Sequence, residues 1–145
     1  MTPTLKQVLD QKGTNVFTIA PDASVLDAIR LMAEKGIGLL LVTEPTNPLP
    51  VGVISERDYA RKIILQGRQS GATPVSEIMT REVRFGDPAG SIYDGMSMMT
   101  EGRFRHLPLL EDGRVIGIVS LGDLVKEVIA DQRFRIKELE KYIAS

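Results

Sequence analysis

Apolar residues recur along the chain in two spacings, one typical of amphipathic helices and one of short buried strands. The clearest helical stripe follows the i, i+3, i+4, i+7, i+8 spacing: Val25, Ala28, Ile29, Met32 and Ala33. Ser24 stands before this stripe as an N-cap, and Asp27 three residues later completes a capping box. The apolar run 39–42 follows two glycines and predicts a fully buried strand. A helix followed by a strand is therefore predicted for residues 24–42.

The same patterns predict the neighbouring elements. We expect a short lead helix over residues 5–12, and a strand over 16–19 that ends at a proline turn. Residues 43–50 contain three prolines and predict a loop, and the next strand is expected over 51–54. Ser55 then begins a helix that is predicted to run to about Leu65 and to bury three apolar side chains: Tyr59, Ile63 and Ile64.

The order strand, helix, strand, strand, helix occurs twice. Asp94 follows Asp27 by 67 residues, and Asp123 follows Asp58 by 65, so the copies differ by two residues in one loop. In the second copy that loop contains an Asp-Gly pair at 112–113, a hairpin signal. Copies of roughly 55 to 60 residues would be marginally stable alone. We therefore expect an α+β fold of two β-α-β-β-α motifs, related by a pseudo-twofold axis and sharing one core.

The expected division of the chain follows from this repeat. Residues 1–66 hold the lead helix and the first motif, 67–78 a polar, glycine-containing linker, and 79–130 the second motif. Residues 131–145 are predicted to form a C-terminal helical extension that has no counterpart in the first copy. This extension is a candidate oligomer contact or lid.

Composition narrows the possible functions. The chain has 145 residues, a net charge of −1 and only 5% aromatic residues, which argues against a broad nucleic-acid-binding surface. It contains no Cys and one His, so thiolate and His-rich metal sites are excluded, and no metal is predicted. Neither a signal peptide nor an apolar run long enough for a bilayer is visible, which predicts a soluble cytoplasmic protein.

A repeated phrase of chemical interest is an apolar strand that ends in Ser-x-x-Asp, at Ser55/Asp58 and again at Ser120/Asp123. The simplest interpretation is helix capping, which we also assign to residues 24–27 and 91–94. Asp58 and Asp123 differ because each directly follows a strand, at the carboxyl end where open sheets place ligands. A carboxylate there can accept hydrogen bonds from two hydroxyl groups at once.

Longer stretches around these phrases resemble a known family. Residues 21–25, 35–42 and 52–58 resemble one CBS motif, and residues 102–109, the 112–113 turn and residues 116–123 resemble a second. The chain therefore resembles a stand-alone tandem CBS-domain protein, or Bateman module. This resemblance implies a regulatory module for signal transduction that binds an adenosine nucleotide such as AMP, ATP or NAD(H) in a cleft between the copies and pairs as a homodimer.

The resemblance also implies roles for individual residues. Asp58 and Asp123 would take the ribose hydroxyls, with assistance from Ser55 and Ser120. Adenine contacts would come from the first strand and the start of the second strand of each copy: Val16, Phe17, Thr18, Ile37 and Gly38 in copy one, and Met79, Thr80, Val83, Phe104 and Arg105 in copy two. For Phe17, simple burial is the alternative role.

Basic residues distinguish the two copies. Arg105 and His106 are implied to reach phosphate, whereas copy one has Gly38 and Leu39 at the matching positions. The two sites are therefore predicted to differ. Arg105 and His106 could instead lie on a solvated charged face, and Arg57, a further phosphate candidate, could simply pair with acidic side chains.

Three classes of function remain to be weighed. The first is the adenine-nucleotide sensor, and the alternative is a ligand-independent dimerisation or protein-interaction module in which Ser-x-x-Asp only caps helices. An enzyme is disfavoured, because no nucleophile with a neighbouring base and no carboxylate cluster can be found in the sequence. No catalytic residue is predicted.

Overall fold

The chain folds into two compact units. The computed structural model describes residues 2–144. The first-motif unit is Val16–Val83, and the second-motif unit consists of residues 2–15 together with 84–144. This division differs from the predicted one, in which the lead helix accompanied the first motif. Leu5, Val8 and Leu9 of that helix are instead buried among second-motif residues.

The first-motif unit is built on a three-stranded sheet. Strands β1 (Thr18–Ile19), β2 (Leu39–Val42) and β3 (Gly52–Ser55) lie in that order, with β1 parallel and β3 antiparallel to β2. Helix α2 (Val25–Lys35) is capped by Ser24 and ends at Gly36, whose φ of 66° suits glycine. After β3 comes a short helix α3 (Glu56–Tyr59), which widens into a π-helical turn, Ala60–Ile64.

Several predicted details of this unit are corrected. The first strand is shorter than the predicted 16–19, and the predicted regular helix after Ser55 changes to π geometry at Ala60. Ile63 is buried as expected, whereas Ile64 is 61% exposed because the wider turn rotates it away from the core. Ala33, at the last position of the predicted α2 stripe, is also exposed.

The second-motif unit repeats the helix, strand, strand, helix order, but its predicted first strand is reduced to a single bridge between Gly86 and Leu109, so its sheet has two strands. Its helices are α1 (Leu5–Lys12), α4 (Ile92–Gly102) and α5 (Leu121–Ala144), and its hairpin strands are β4 (His106–Glu111) and β5 (Arg114–Ser120). Asp112 and Gly113 have φ of 52° and 76°, which confirms the predicted tight turn in its I′ form. The predicted C-terminal extension exists, but it continues α5 without a break.

The buried apolar residues form two clusters, one in each unit, where a single shared core was expected. In each unit, the segment that precedes one motif packs on the other motif. Helix α1 packs on the second motif, while Val75 and Ile78 of the predicted linker are buried in the first-motif cluster. Short 3₁₀ turns at Ser70–Ala72 and Val75–Glu77 shape that linker.

Two equivalent glycines permit the segment that precedes one motif to pack on the other motif. A Cβ atom on Gly52 of β3 would lie 2.7 Å from the sulfur of Met79, and one on Gly117 of β5 would lie 2.4 Å from Leu9 Cδ1. These distances are far below ordinary apolar contact of about 3.5–4.0 Å. Each strand therefore needs a glycine where the crossing segment lies against it. Among residues 2–144, no helix is both long and apolar enough to cross a membrane.

Candidate functional site

The carboxylate of Asp58 lies at the end of β3, and its two oxygens have different partners. Oδ2 accepts hydrogen bonds from the backbone N–H and the hydroxyl of Ser55, at 3.0 and 3.1 Å. Oδ1 accepts from the hydroxyl of Thr80 at 3.3 Å and lies 3.3 Å from Lys62 Nζ. The Asp58 side chain is only 13% exposed. One oxygen therefore fixes the helix start, and the other faces polar groups outside the cap.

Asp123 occupies the matching position at the end of β5. Its Oδ2 accepts from the backbone N–H of Ser120 at 2.8 Å and lies 2.6 Å from Lys12 Nζ. Burial raises the pKa of the Asp123 carboxyl, but the hydrogen bonds from Lys12 and Ser120 lower it by more, so the pKa falls below its ordinary value of 3.8. The carboxylate is therefore stabilised in its charged form.

Two further Ser-x-x-Asp phrases show what capping alone looks like. Asp94 accepts from the Ser91 amide at 3.1 Å, and Ser91 accepts from the Asp94 amide at 3.0 Å, which completes a capping box. In the remaining phrase the Asp27 amide donates to Ser24, while the Asp27 side chain is 63% exposed and its nearest cation, Arg30, is 3.9 Å away. The serine cap was correctly predicted for both, but the capping box predicted at Asp27 does not form, because the Asp27 carboxylate is exposed and does not bond back to Ser24. Asp58 and Asp123 add a close lysine to the same cap.

In the first-motif unit, most of the residues expected to contact adenine lie at the N-terminal ends of β1 and β2. The carbonyl of Phe17 accepts from the Leu41 amide, and the carbonyl of Gly38 accepts from the Glu56 amide. Phe17 is partly buried against the core, and Lys35 Nζ lies 5.4 Å from its ring centre. Val16, Thr18 and Ile37 flank these positions, and Arg57 lies exposed in the first turn of α3.

Met79 and Thr80 were assigned to the second copy, but the structure places them in the first-motif unit. Thr80 pairs with Val53 of β3 through two backbone hydrogen bonds, and its hydroxyl contacts Asp58. Val83 ends the same unit. The strand pairing explains why Met79 and Thr80 were assigned to the wrong copy. Gly86 pairs with Leu109 as Ile19 pairs with Val42, so Gly86 is the second-motif equivalent of Ile19. Residues 83–86 therefore match 16–19, and 79–80 precede that strand.

In the second-motif unit, the basic pair lies beside the repeated phrase. The carbonyl of Arg105 accepts from the Leu121 amide, the equivalent of the bond between Gly38 and Glu56. His106 is paired directly with Ser120 across β4 and β5, so their side chains share one face of the hairpin. Arg105 is exposed, and Phe104 is partly buried against the core. Arg105 and His106 thus flank the strand end that carries Asp123.

Two lysines beside these carboxylates, and two further residues that the repeat matches to implied positions, were not predicted. Lys62 is four residues after Asp58, so its ion pair was readable from helix spacing. Lys12 is 111 residues from Asp123 in sequence, and nothing local announces that contact. Arg84 and Phe85 occupy the register positions that match Phe17 and Thr18, a correspondence visible once the offset of the repeat is applied.

The chemistry of these positions suits hydroxyl recognition better than metal binding. A carboxylate fixed by a capping bond presents its second oxygen in a defined direction, which suits a sugar hydroxyl. Within residues 2–144, no three His, Cys, Asp or Glu side chains come together as a metal-binding group. The neighbouring lysines are 37–39% exposed, whereas the carboxylates are only 13–26% exposed. A ligand that displaces a lysine must therefore satisfy the carboxylate with hydrogen bonds of its own.

The capped carboxylate at a strand end occurs once in each unit, and comparisons with known proteins likewise divide the chain into two repeats. The CBS domain family matches residues 8–65 and again 75–130. The chain belongs to the CBS-domain family, as a tandem pair of motifs. It is 37% identical to the mitochondrial CBS domain-containing protein CBSX3 of Arabidopsis thaliana, an alignment that covers 97% of this chain and 71% of that protein.

Solved structures confirm the predicted α+β fold. A CBS-domain protein from Burkholderia ambifaria, proposed to act in signal transduction, is 50% identical with a TM-score of 0.83, over 90% of this chain and 96% of that one. The CBS domain protein PAE2072 of Pyrobaculum aerophilum, solved in complex with AMP, is 20% identical with a TM-score of 0.74, over 83% and 89% of the two chains. At that identity the likeness concerns the fold alone.

Proposed function

We propose that this protein is a regulatory, non-catalytic module of signal transduction that binds an adenosine nucleotide through Asp58, Asp123 or both. One observation carries the proposal: of the four Ser-x-x-Asp caps, the two at strand ends also contact a lysine at 2.6–3.3 Å. The AMP complex of the Pyrobaculum protein supports this choice of ligand class. AMP, ATP and NAD(H) share the adenosine moiety that these positions would recognise.

The proposed binding step is an exchange of partners at the carboxylate. In the first-motif unit, Oδ2 of Asp58 stays bonded to Ser55, while Oδ1 releases Lys62 and accepts the ribose hydroxyls. In the second-motif unit, Lys12 leaves Oδ2 of Asp123, the oxygen that also accepts the capping bond from Ser120, and Oδ1 accepts the ribose hydroxyls. Each exchange replaces a partly exposed ion pair by hydrogen bonds to a charged acceptor, which are worth roughly 1.5–3 kcal/mol each.

Adenine and phosphate would be held by the residues that flank each carboxylate. In the first-motif unit we assign the adenine contacts to the backbone and apolar atoms of residues 16–18, 37 and 38, with Thr80 beside the ribose. In the second-motif unit Phe104 would contact the base, and Arg105 and His106 would contact phosphate. Because Gly38 and Leu39 replace that basic pair in the first motif, we expect phosphorylated ligands to prefer the second-motif unit.

Matched isosteric variants test the proposal. Asp58→Asn and Asp123→Asn keep an acceptor for the capping bond but remove the charge and one acceptor oxygen. Asp94→Asn is the control, because Asp94 forms the same capping box without a lysine contact of the kind seen at Asp58 and Asp123. AMP, ATP and NADH are titrated by calorimetry against each variant and the natural protein, and thermal unfolding reports on the fold.

We expect at least a tenfold weaker Kd in one or both strand-end variants, since about 1.4 kcal/mol corresponds to a factor of ten. Asp94→Asn should bind like the natural protein. Saturating ligand at about 100 times Kd should add roughly 2.7 kcal/mol to the free energy of unfolding. The sensor hypothesis fails if none of the three nucleotides shifts the unfolding temperature at millimolar concentration.

A second function is favoured by one observation, the row of exposed apolar side chains on α5. In that case the protein is a ligand-independent dimerisation or interaction module, and Ser55 and Ser120 only cap helices. The same variants separate the two functions. Equal loss of stability in all three variants, with no nucleotide binding by the natural protein, supports the interaction module. The proposed cytoplasmic location and homodimeric state belong to both functions, although one relative is named as mitochondrial.

A further inference from the structure

The C-terminal part of α5 has little support from its own unit, which it contacts at Gln132, bonded to the Tyr93 hydroxyl, and at Arg135, bonded to the Thr2 hydroxyl. Every residue from 132 to 144 is exposed, although the helix continues regularly to Ala144. Thirteen helical residues extend about 20 Å at 1.5 Å per residue. A single helix of that length is marginal in water even for favourable sequences. A regular helix that continues so far beyond the packed part of α5 therefore favours a partner surface.

One face of α5 has the pattern of a two-stranded coiled coil. Along this face, residues recur at alternating steps of four and three, and all but Gln132 are apolar. We call this row the heptad stripe; it consists of Val125, Ile129, Gln132, Ile136, Leu139 and Ile143. Its apolar members are 38–80% exposed. Steps of four and three residues give the 3.5-residue period that brings a continuous seam against a second helix. The stripe thus predicts helix pairing.

The heptad stripe is not the face that packs on the protein's own core. Leu124 is fully buried, Val128 packs against the core, and Asp131 is buried. Asp131 accepts from the Tyr93 hydroxyl at 2.6 Å and from Arg135 Nε at 3.0 Å. These residues define one side of the helix, and the stripe lies roughly 90° around the axis from it at 100° per residue. At the border between the two faces, Gln132 of the stripe donates to the Tyr93 hydroxyl at 2.7 Å, while the apolar members of the stripe remain exposed to a second helix.

The composition of the stripe favours a second copy of this chain in parallel orientation. Isoleucine occupies all three a positions, Ile129, Ile136 and Ile143, and Leu139 occupies a d position, the choice that favours parallel dimers. In a parallel pair, Arg135 at position g faces Glu140 at position e of the partner helix, an attractive pair formed twice. Arg135 uses Nε for Asp131 and one terminal nitrogen for Thr2, so guanidinium donors remain for a carboxylate.

We propose that the heptad stripe of α5 pairs with the same stripe of a second copy as a parallel two-stranded coiled coil. This assigns a pairing surface and a chain direction to the proposed homodimer. The pairing makes no use of a nucleotide, so it is tested without ligand. A failed nucleotide titration leaves it intact, and a failed pairing leaves the carboxylate sites intact.

The absence of cysteine from the sequence permits a direct test by disulfide cross-linking. Val125→Cys and Leu139→Cys place a thiol at two d positions 14 residues apart, about 21 Å along the helix. In a parallel pair both variants meet their own copy, whereas an antiparallel pair can bring at most one of these positions together with itself. Lys141→Cys, at the outward f position two residues from Leu139, is the control.

Each variant is oxidised mildly at micromolar concentration and analysed by non-reducing electrophoresis, and thermal unfolding confirms the fold. We expect Val125→Cys and Leu139→Cys each to form covalent dimer at least tenfold faster than Lys141→Cys. Cross-linking at only one d position would show an antiparallel pair and overturn the assigned direction. Rates equal to the control at both positions would overturn the pairing itself, including the case in which another protein or a membrane covers the stripe. Sedimentation of the natural protein should show an even number of copies, and a monomer would refute the proposal.

Discussion

The packing of α1 on the second motif makes a sharp prediction about Gly117. Helix α1 precedes the first motif in sequence, yet Leu9 lies against β5 of the second motif with no exposed surface. A methyl group on Gly117 would lie 2.4, 2.7 and 2.9 Å from three side-chain carbons of Leu9. The nearest of these is about 1 Å below the lower limit of ordinary apolar contact, near 3.5 Å.

The cost of Gly117→Ala follows from two opposing effects. Overpacking of a buried site typically costs about 1–3 kcal/mol, and Leu9 has no solvent into which it could turn. Alanine is intrinsically better than glycine inside a strand by roughly 0.5–1 kcal/mol, which offsets part of that cost. We therefore expect a net loss of about 1–2 kcal/mol in the free energy of unfolding.

A double-mutant cycle identifies Leu9 as the cause. Leu9→Ala alone should cost about 2–5 kcal/mol, because it leaves a cavity in the core. With Leu9 truncated, the new methyl group fills part of that cavity, so Gly117→Ala should become neutral or stabilising. Gly71→Ala is the control for the substitution type, since a Cβ there meets only Leu26, at 3.9 Å.

Urea unfolding of the four chains of the cycle and of the control, followed by circular dichroism, measures these differences if the slope m stays constant. Two results would refute the proposed contact. One is a Gly117→Ala protein as stable as the natural one. The other is additivity of the two substitutions within about 0.3–0.5 kcal/mol, the behaviour of residues that do not touch.

Three further predictions concern the carboxylates and the hairpin. The pKa of Asp123 is lowered in the folded protein, so its contribution to stability is present above the ordinary value of 3.8 and is lost as the pH falls through the lower folded pKa. Urea unfolding between pH 5 and 3 should therefore show that the stability of Asp123→Asn depends less on pH than that of the natural protein. An unchanged dependence would contradict the lowered pKa. Lys12→Met and Lys62→Met remove the cations that compete with a ligand for Asp123 and Asp58. Calorimetry should therefore show that adenosine, which has no phosphate, binds a few-fold more tightly to each variant than to the natural protein. Weaker binding would contradict the proposed exchange of partners. Gly113→Ala places a side chain at a φ of 76° and should lower the free energy of unfolding, measured in urea, by roughly 1–2 kcal/mol. Asp112→Gly, at a φ of 52°, should instead be neutral or stabilising. Equal effects of the two substitutions would argue against the type I′ turn.

Local patterns predicted the elements well, because their causes lie within a few residues. The capping boxes at Ser55 and Ser91 and the tight turn at Asp112 form where the sequence places them. The helix after Ser55 was predicted less well. A π turn depends on how a helix fits its neighbours, and residues 60–64 contain no proline or glycine that would announce it.

The candidate site was predictable in its carboxylates and less so in their surroundings. Asp58 and Asp123 follow from a repeated phrase at strand ends, which sequence alone displays. Thr80 was assigned to the other copy, because sequence order suggested that it begins the second motif. Lys12 was missed altogether, since a contact across 111 residues leaves no local pattern.

The sequence by itself determined that this protein is a repeat of two motifs, which residues become buried in most elements, and where two capped carboxylates stand. Only the tertiary structure decided which partner each buried face meets. An amphipathic helix such as α1 specifies that Leu9 is buried, but not against which strand. That choice depends on where a strand lacks a side chain, as at Gly52 and Gly117, and so can receive Met79 or Leu9 at close range. The same holds for α5, whose periodicity indicates an apolar face, while the structure shows that this face remains exposed on its own unit.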